Sequence, residues 1–357
     1  METKTQRGYL VLADISGFTS YLAKSELDHA LGILRDLLEV TSTSLRSLLD
    51  LSKLEGDAVF LYASESKVRR GETLLEVVES TYVTFRRRLD AVHGRTKCSC
   101  KACGNIPSLD LKFMTHFGEY GVQTIAGTIE LIGSDVNLVH RLLKNRISDT
   151  VGWRGYALFT KQALEQMGIS AEGFLQNEEM YDHLGSVATY TTHLHERFEE
   201  LTAARRFFLE PKDAHMSVEK DLPAPPVVVW EWLNDPAKRE LWSGLTVKPL
   251  VRPKGRTMEG ARNHCVHGKE VIVEDILDWR PFDYFTVRSA APLGDIVTTM
   301  TLEANGERTR LVDRTRFEPK SPLLKPFSKL LLRMMYRVFK IEQRYSALEQ
   351  RIATSTK

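Results

Sequence analysis

The sequence predicts an α+β protein built in two parts, and three observations carry that prediction. Short apolar runs alternate with amphipathic helical patterns over the first two hundred residues, without the fixed period of a repeat protein. A charged stretch around 196–212 then loses its strand signals. From residue 216 several β-rich runs lie between a Pro-opened helix and a long terminal helix. The expected boundaries are 1–200 for a first domain, 201–214 for a linker and 215–357 for a second domain. A Cys-rich insertion near 93–104 interrupts the first.

The elements follow in order. Residues 8–13 are a short apolar run closed by Gly17, as in a buried strand. Over 25–51, Leu27, Leu31, Leu34, Leu38 and Leu45 recur at helical spacing. Residues 52–63 read as a hairpin around the turn-forming pair Gly56-Asp57. A second helix over 72–92 carries Leu75, Val78, Tyr82 and Phe85 as its stripe. A strand over 109–117 and a helix over 134–144 follow. In the second half, Pro225-Pro226 opens a helix with Val229, Trp230 and Leu233 on one face. Strands are expected at 269–277, 284–289, 296–302 and 308–317. Leu324, Phe327, Leu331, Met334, Met335, Val338 and Ile341 form the stripe of one long last helix.

Composition narrows the function classes. Of 357 residues, 42% are hydrophobic and 27% charged, the balance of a soluble chain with real cores. Basic residues exceed acidic ones by two (49 against 47), so no global field favours nucleic acid, and any nucleotide site must be local. The polar first residues lack a signal-peptide core, and no run of about 18 apolar residues would span a bilayer. With three of four cysteines crowded together, the chain does not read as a secreted disulfide scaffold. The expected location is the cytoplasm, with no integral membrane segment.

The chemistry begins at Ala13-Asp14-Ile15-Ser16-Gly17-Phe18-Thr19. A carboxylate at the end of an apolar strand, followed by a Gly-containing loop, stands beside backbone amides suited to phosphate. A second carboxylate, Asp57, lies in the turn Lys53-Leu54-Glu55-Gly56-Asp57. If the first strand pairs with this hairpin, the two acids converge and repel unless a proton or divalent cation sits between them.

These segments, together with Gly133-Ser134-Asp135-Val136-Asn137-x-x-x-Arg141, resemble three motifs of class III adenylate/guanylate cyclases, in the family's order, over about residues 8–195. The resemblance implies a ferredoxin-like nucleotidyl cyclase domain. It implies that Asp14, Asp57 and the Ile15 backbone hold two Mg²⁺ or Mn²⁺ ions, with Gly17, Phe18 and Thr19 beside the substrate phosphates. Lys53 and Glu130 take the base-reading positions, Glu130 where adenylate cyclases usually carry Asp or Thr. Asn137 and Arg141 take the ribose and transition-state positions; four apart, they share one helical face. The family's division of labour implies a homodimer and cyclisation of a nucleoside triphosphate, ATP foremost, with release of pyrophosphate. One departure stands out: His183-Leu184-Gly185 replaces the late Lys-Gly turn whose lysine binds the triphosphate in many cyclases.

Cys98, Cys100 and Cys103 lie within six residues and offer three ligands of a tetrahedral Zn²⁺ site, with His93 or His116 as the fourth. Redox-sensitive thiols and ordinary loop cysteines are the alternatives. The second half, from Ser217 through Trp230 and Leu233 to the last helix, resembles a START-like (polyketide cyclase/dehydrase, SRPBCC) domain. That resemblance implies a helix-grip fold around a cavity for a lipid or other hydrophobic molecule. Trp230, Trp279, Phe282, Phe285, Met300, Phe327, Met334 and Met335 are the candidate liners, against the bland reading that such stripes are core. The leading functional expectation is a cyclase regulated by a ligand-binding START-like domain. The alternative is a retired cyclase fold that senses nucleotide and lipid without turnover.

Overall fold

The computed structural model describes residues 4–95, 100–125, 128–267 and 270–355. Its contacts divide into two compact units, Met1–Ala203 and Ala204–Lys357.

The first unit opens with β1 (Lys4–Ser16), α1 (Phe18–Ala23) and α2 (Leu27–Leu45), then β2 (Asp50–Glu55), β3 (Ala58–Ser64) and α3 (Gly71–Arg95). A short α4 (Lys101–Gly104) leads into β4 (Asp110–Ile125) and β5 (Thr128–Ile132). Next come α5 (Ser134–Arg141), α6 (Ile147–Val151), β6 (Tyr156–Thr160), α7 (Lys161–Met167), β7 (Leu175–Tyr181), β8 (Gly185–His193) and α8 (Leu194–Thr202). The sheet order is β2-β3-β1-β4-β6-β8-β7, with β5 paired to β4. Its first four strands are all antiparallel. Strand, helix, hairpin, helix and strand in that spatial order make a ferredoxin-like unit. Residues 9–13 form a continuous apolar run because β1 is covered on both faces. On one of them, Leu10 and Leu12 meet Val136, Val139 and Leu142 in a single core cluster.

The second unit is an antiparallel sheet ordered β10-β11-β12-β13-β14-β15-β9. Its strands are β9 (Met216–Leu222), β10 (Thr246–Val251), β11 (Arg262–His267), β12 (Glu270–Arg280), β13 (Tyr284–Ala291), β14 (Gly294–Asn305) and β15 (Arg308–Pro319). The helices α9 (Pro226–Asn234) and α10 (Pro236–Ser243) precede β10; α11 (Ser328–Val338) and α12 (Ile341–Ser355) close the unit. Trp230, Trp279, Phe285, Leu311, Tyr345, Leu348 and Ile352 share its core, so α12 is gripped by the sheet. This is the helix-grip arrangement.

Two expectations need correction. The single terminal helix is broken at Lys340, whose φ of 51° cannot continue an α-helix. α12 then runs into the core, while α11 leaves Leu330, Met334 and Val338 exposed. Residues 204–214, expected as part of a linker, pack on the second sheet. The Arg206 amide donates to Asp278 (3.1 Å), the Leu209 amide to Thr299 Oγ1 (3.1 Å), and Thr286 donates to the Phe207 carbonyl (2.6 Å).

Candidate functional site

Strand pairing places Asp14 opposite Ala58 on one side and Lys112 on the other. Asp57 occupies the turn just before Ala58, and its carbonyl accepts from the Ile15 amide at 3.2 Å. The two carboxylates therefore meet at one end of the sheet. Burial, then the charge of Asp14, pushes the Asp57 carboxyl above its ordinary range, and Lys112 offsets part of that. Lys112 Nζ lies 3.2 Å from Asp14 Oδ2, both side chains being largely buried. Two carboxylate groups offering hard oxygen donors suit Mg²⁺ or Mn²⁺, and the raised Asp57 marks the positive charge this pair would accept.

The following loop is tightly held. Gly17 has φ 85°, and a Cβ there would lie 2.1 Å from an Arg154 nitrogen. Arg154 in turn donates to the Ser108 carbonyl, and Ser16 donates to the Arg154 carbonyl at 2.7 Å. Phe18 is buried and Thr19 exposed.

A second group gathers on β2, β5 and α5. Lys53 Nζ lies 3.1 Å from Glu130 Oε2 and 3.2 Å from Glu55 Oε1. Glu130, first, and Glu55 hold the Lys53 ammonium above its usual range. His140 Nε2 contacts Glu55 at 3.0 Å. Asn137 and Arg141 are exposed on α5, whose Val136 and Val139 are buried. Asp135 fixes the start of this helix: it accepts from the Glu119 amide at 2.7 Å and lies 3.4 Å from His116 Nε2. The β7–β8 turn carries His183 at φ 68° before Gly185.

The structure does not bring the two expected histidines to the thiols. His116 is buried against Thr160 Oγ1 (2.9 Å) and Asp135. His93 Nδ1 faces the Cys103 carbonyl oxygen at 3.4 Å. The imidazole that does approach is His29 of α2, which lies with Cys100 and Cys103. Cys98 lies outside the described residues.

In the second unit a cavity of about 590 Å³ is walled by apolar side chains from the sheet and α11, among them Met300, Met334, Met335 and Phe317. Of the other expected liners, Trp230, Trp279, Phe282 and Phe285 pack together in the core, and Phe327 is exposed. An aromatic stripe alone does not tell core from pocket. Polar groups also reach the cavity wall, none of them signalled by the sequence. Arg239 grips Glu274 through two bonds of 2.9 and 2.7 Å. Asp313 accepts from Tyr345 (2.5 Å) and Thr315 (2.7 Å). Arg344 lines the cavity with its guanidinium pKa lowered by burial, and has no ion pair among the described residues.

Lys112, Glu55, His140 and His29 are the residues that sequence reasoning missed. Glu55 was within reach, since it stands two residues from Lys53 on the same strand face. Lys112 becomes a neighbour of Asp14 only through the β1–β4 register.

Fold and side chains define an α+β chain with a ferredoxin-like unit ahead of a helix-grip unit. Residues 34–151 match the family model described as a protein of unknown function, DUF2652. Residues 213–351 match the model described as polyketide cyclase / dehydrase and lipid transport. An uncharacterised protein of Mycobacterium tuberculosis is 37% identical over 102 residues, 28% of this chain and 46% of its own. The chain thus spans less than half the length of that relative. Among solved structures, the guanylyl cyclase Cya2 is 14% identical, with a TM-score of 0.44 over 54% of this chain and 93% of that one. The adenylyl cyclase CyaB from P. aeruginosa is 17% identical, with a TM-score of 0.41 over 58% and 100%. No described helix is long and apolar enough to cross a membrane.

Proposed function

We propose that the first unit binds a nucleoside triphosphate, ATP foremost, and cyclises it as a homodimer, under the influence of a hydrophobic ligand held in the second unit. One observation carries this reading: Asp14, Asp57 and Lys112 converge at one sheet end. Asp14 and Asp57 would hold Mg²⁺ or Mn²⁺, which when bound lower the pKa of the attacking ribose 3′-hydroxyl and neutralise phosphate charge. Lys112 supplies a cation beside the acids, and exchanges Asp14 for a phosphate oxygen when substrate enters. It thereby takes over the charge that the His183–Gly185 turn lacks. Lys53 and Glu130 offer a donor and an acceptor side by side to the base edge. Asn137 and Arg141, exposed on α5, are free to meet a ribose and phosphate held by the partner subunit. The 3′-oxygen attacks the α-phosphorus, and pyrophosphate leaves.

The full chain should release cyclic nucleotide from ATP with Mn²⁺, and Asp57→Ala should cut the rate by on the order of 100-fold or more. No cyclic product from ATP or GTP by a folded dimer would replace this reading with a binding protein. That alternative draws on the lysine-free turn; nucleotide would then raise thermal stability without turnover.

The cavity supports an amphipathic ligand: apolar walls for a tail, and Arg344, without an ion pair among the described residues, for an acidic head. Dodecanoate should displace a fluorescent probe at lower concentration than dodecanol, and Arg344→Met should shrink the difference by about tenfold, some 1.4 kcal/mol. Equal displacement by both in the unsubstituted protein would refute the acidic head.

A further inference from the structure

The geometry points to a zinc site with three protein ligands, His29, Cys100 and Cys103, which ties the α3–β4 connection to α2. His29 Nδ1 lies 3.2 Å from Cys100 Sγ and 4.0 Å from Cys103 Sγ. All three ligand atoms fall within 4.8 Å of one another. A tetrahedral ion with Zn–S about 2.3 Å and Zn–N about 2.0 Å separates nitrogen from sulfur by about 3.6 Å. The two observed nitrogen–sulfur separations bracket that value, so each needs only tenths of an ångström of adjustment to admit an ion. A hydrogen bond would account for one thiol beside the imidazole; it does not require the second.

The local backbone is also shaped for a thiolate pair. Cys100 and Cys103 flank a single turn in which the Cys103 amide donates to Cys100 Sγ at 3.5 Å. Such a bond stabilises negative charge on the sulfur and sets the spacing of the two ligands. Glu26, three residues before His29, accepts from the Lys101 and Ala102 amides at 3.3 and 3.0 Å. The same end of α2 therefore holds the turn from two sides, by carboxylate and by imidazole. Cys103 and Ala102 are buried beneath it, while His29 is exposed. Two thiolates and one imidazole are soft and borderline donors, selecting Zn²⁺ over Mg²⁺ or Ca²⁺. The site uses none of the residues proposed for cyclisation, so either reading stands or falls without the other.

The test is metal analysis of the full chain, purified without chelator after growth in zinc-supplemented medium. About one zinc per chain is expected. His29→Ala, which changes an exposed side chain, and Cys103→Ser should each weaken zinc retention against a competing chelator by at least about tenfold. Cys265→Ser, a buried thiol of the second unit, should retain zinc fully. Cobalt exchanged into the site should give the intense visible bands of a tetrahedral thiolate complex, altered in His29→Ala. A folded protein that is zinc-free and gives no such cobalt spectrum would overturn the site. So would a native Cys100–Cys103 disulfide, or zinc retained undiminished in His29→Ala.

Discussion

Carboxylates drawn out of solvent, half-way at Asp57 and fully at Glu274, shift in opposite directions in this chain, and their neighbours decide which way. Asp57 is pushed up by burial and by Asp14. Burial acts upward on Glu274 too, but the charge and hydrogen bonds of Arg239, with a bond from Asn263, hold it below its ordinary value. The consequences for stability have opposite signs. Glu274, depressed in the folded state, contributes stability above its unfolded pKa of 4.5, and that contribution is lost as the pH falls through the folded value. Asp57 binds its proton more tightly when folded, so its contribution grows as the pH falls toward its unfolded value. Arg239→Met should cost about 3–5 kcal/mol at pH 7, because it leaves a buried carboxylate without the guanidinium that pairs with it. Arg239→Met with Glu274→Leu should recover much of that loss, and should flatten the decline in stability below pH 4.5. Urea titrations across pH measure both; equal losses in the single and double variants would show that the pair's charges are not the cause. Asp14 and Asp57 were legible in the sequence because each sits in a local strand-end or turn pattern. Lys112 and His29 were not, because a long-range strand register and a helix–turn contact make them neighbours.

The helix α5, on the proposed reading, would carry its role through its anchoring. Asn137 and Arg141 are exposed on it, so what positions them is the helix's attachment to β4. That attachment depends on Gly118, where a Cβ would lie 2.2 Å from an Asp135 carboxylate oxygen and 2.7 Å from the Asp135 Cβ. Gly118→Ala must displace Asp135, break its bond to the Glu119 amide and shift the start of α5. The expected cost is about 1–3 kcal/mol of stability, the scale of overpacking. Product formation should fall further than that loss of folded protein explains, with Mn²⁺ affinity unchanged because Asp14 and Asp57 lie elsewhere. Thermal melts and Mn²⁺ titration separate the two effects; a variant that loses Mn²⁺ binding and activity together would disprove the local account. The 52–63 hairpin was readable from its turn pair, Gly56-Asp57. The break between α11 and α12 was not, because Phe339-Lys340-Ile341 contains no glycine or proline to mark the left-handed residue.

At the scale of the molecule, the charge and low β-signal of 196–212 read as a connection, yet the chain commits to the second sheet from residue 204. Backbone hydrogen bonding gives the reason. The amides of Arg206 and Leu209 and the carbonyl of Phe207 are satisfied by Asp278, Thr299 and Thr286, polar side chains within β12, β14 and β13. A sheet face bearing polar side chains recruits a polar segment that composition alone would leave in solvent. Burial of Leu209 adds an apolar contribution. A fragment 204–357 should therefore fold alone, while 215–357 should be weaker by about 5 kcal/mol: four hydrogen bonds at about 1 kcal/mol each, the Phe207 amide to Asp278 included, plus one partly replaceable leucine. Asp278 is the sensitive point, since the shorter fragment strips the Arg206 and Phe207 amides from a buried carboxylate and leaves it Tyr284, Arg280 and the Trp279 amide. Supplying 201–214 as a free peptide should restore part of the loss at high concentration, because the segment binds through contacts rather than through chain connection. Equal urea midpoints for the two fragments would mean that the segment is tethered to the sheet without stabilising it.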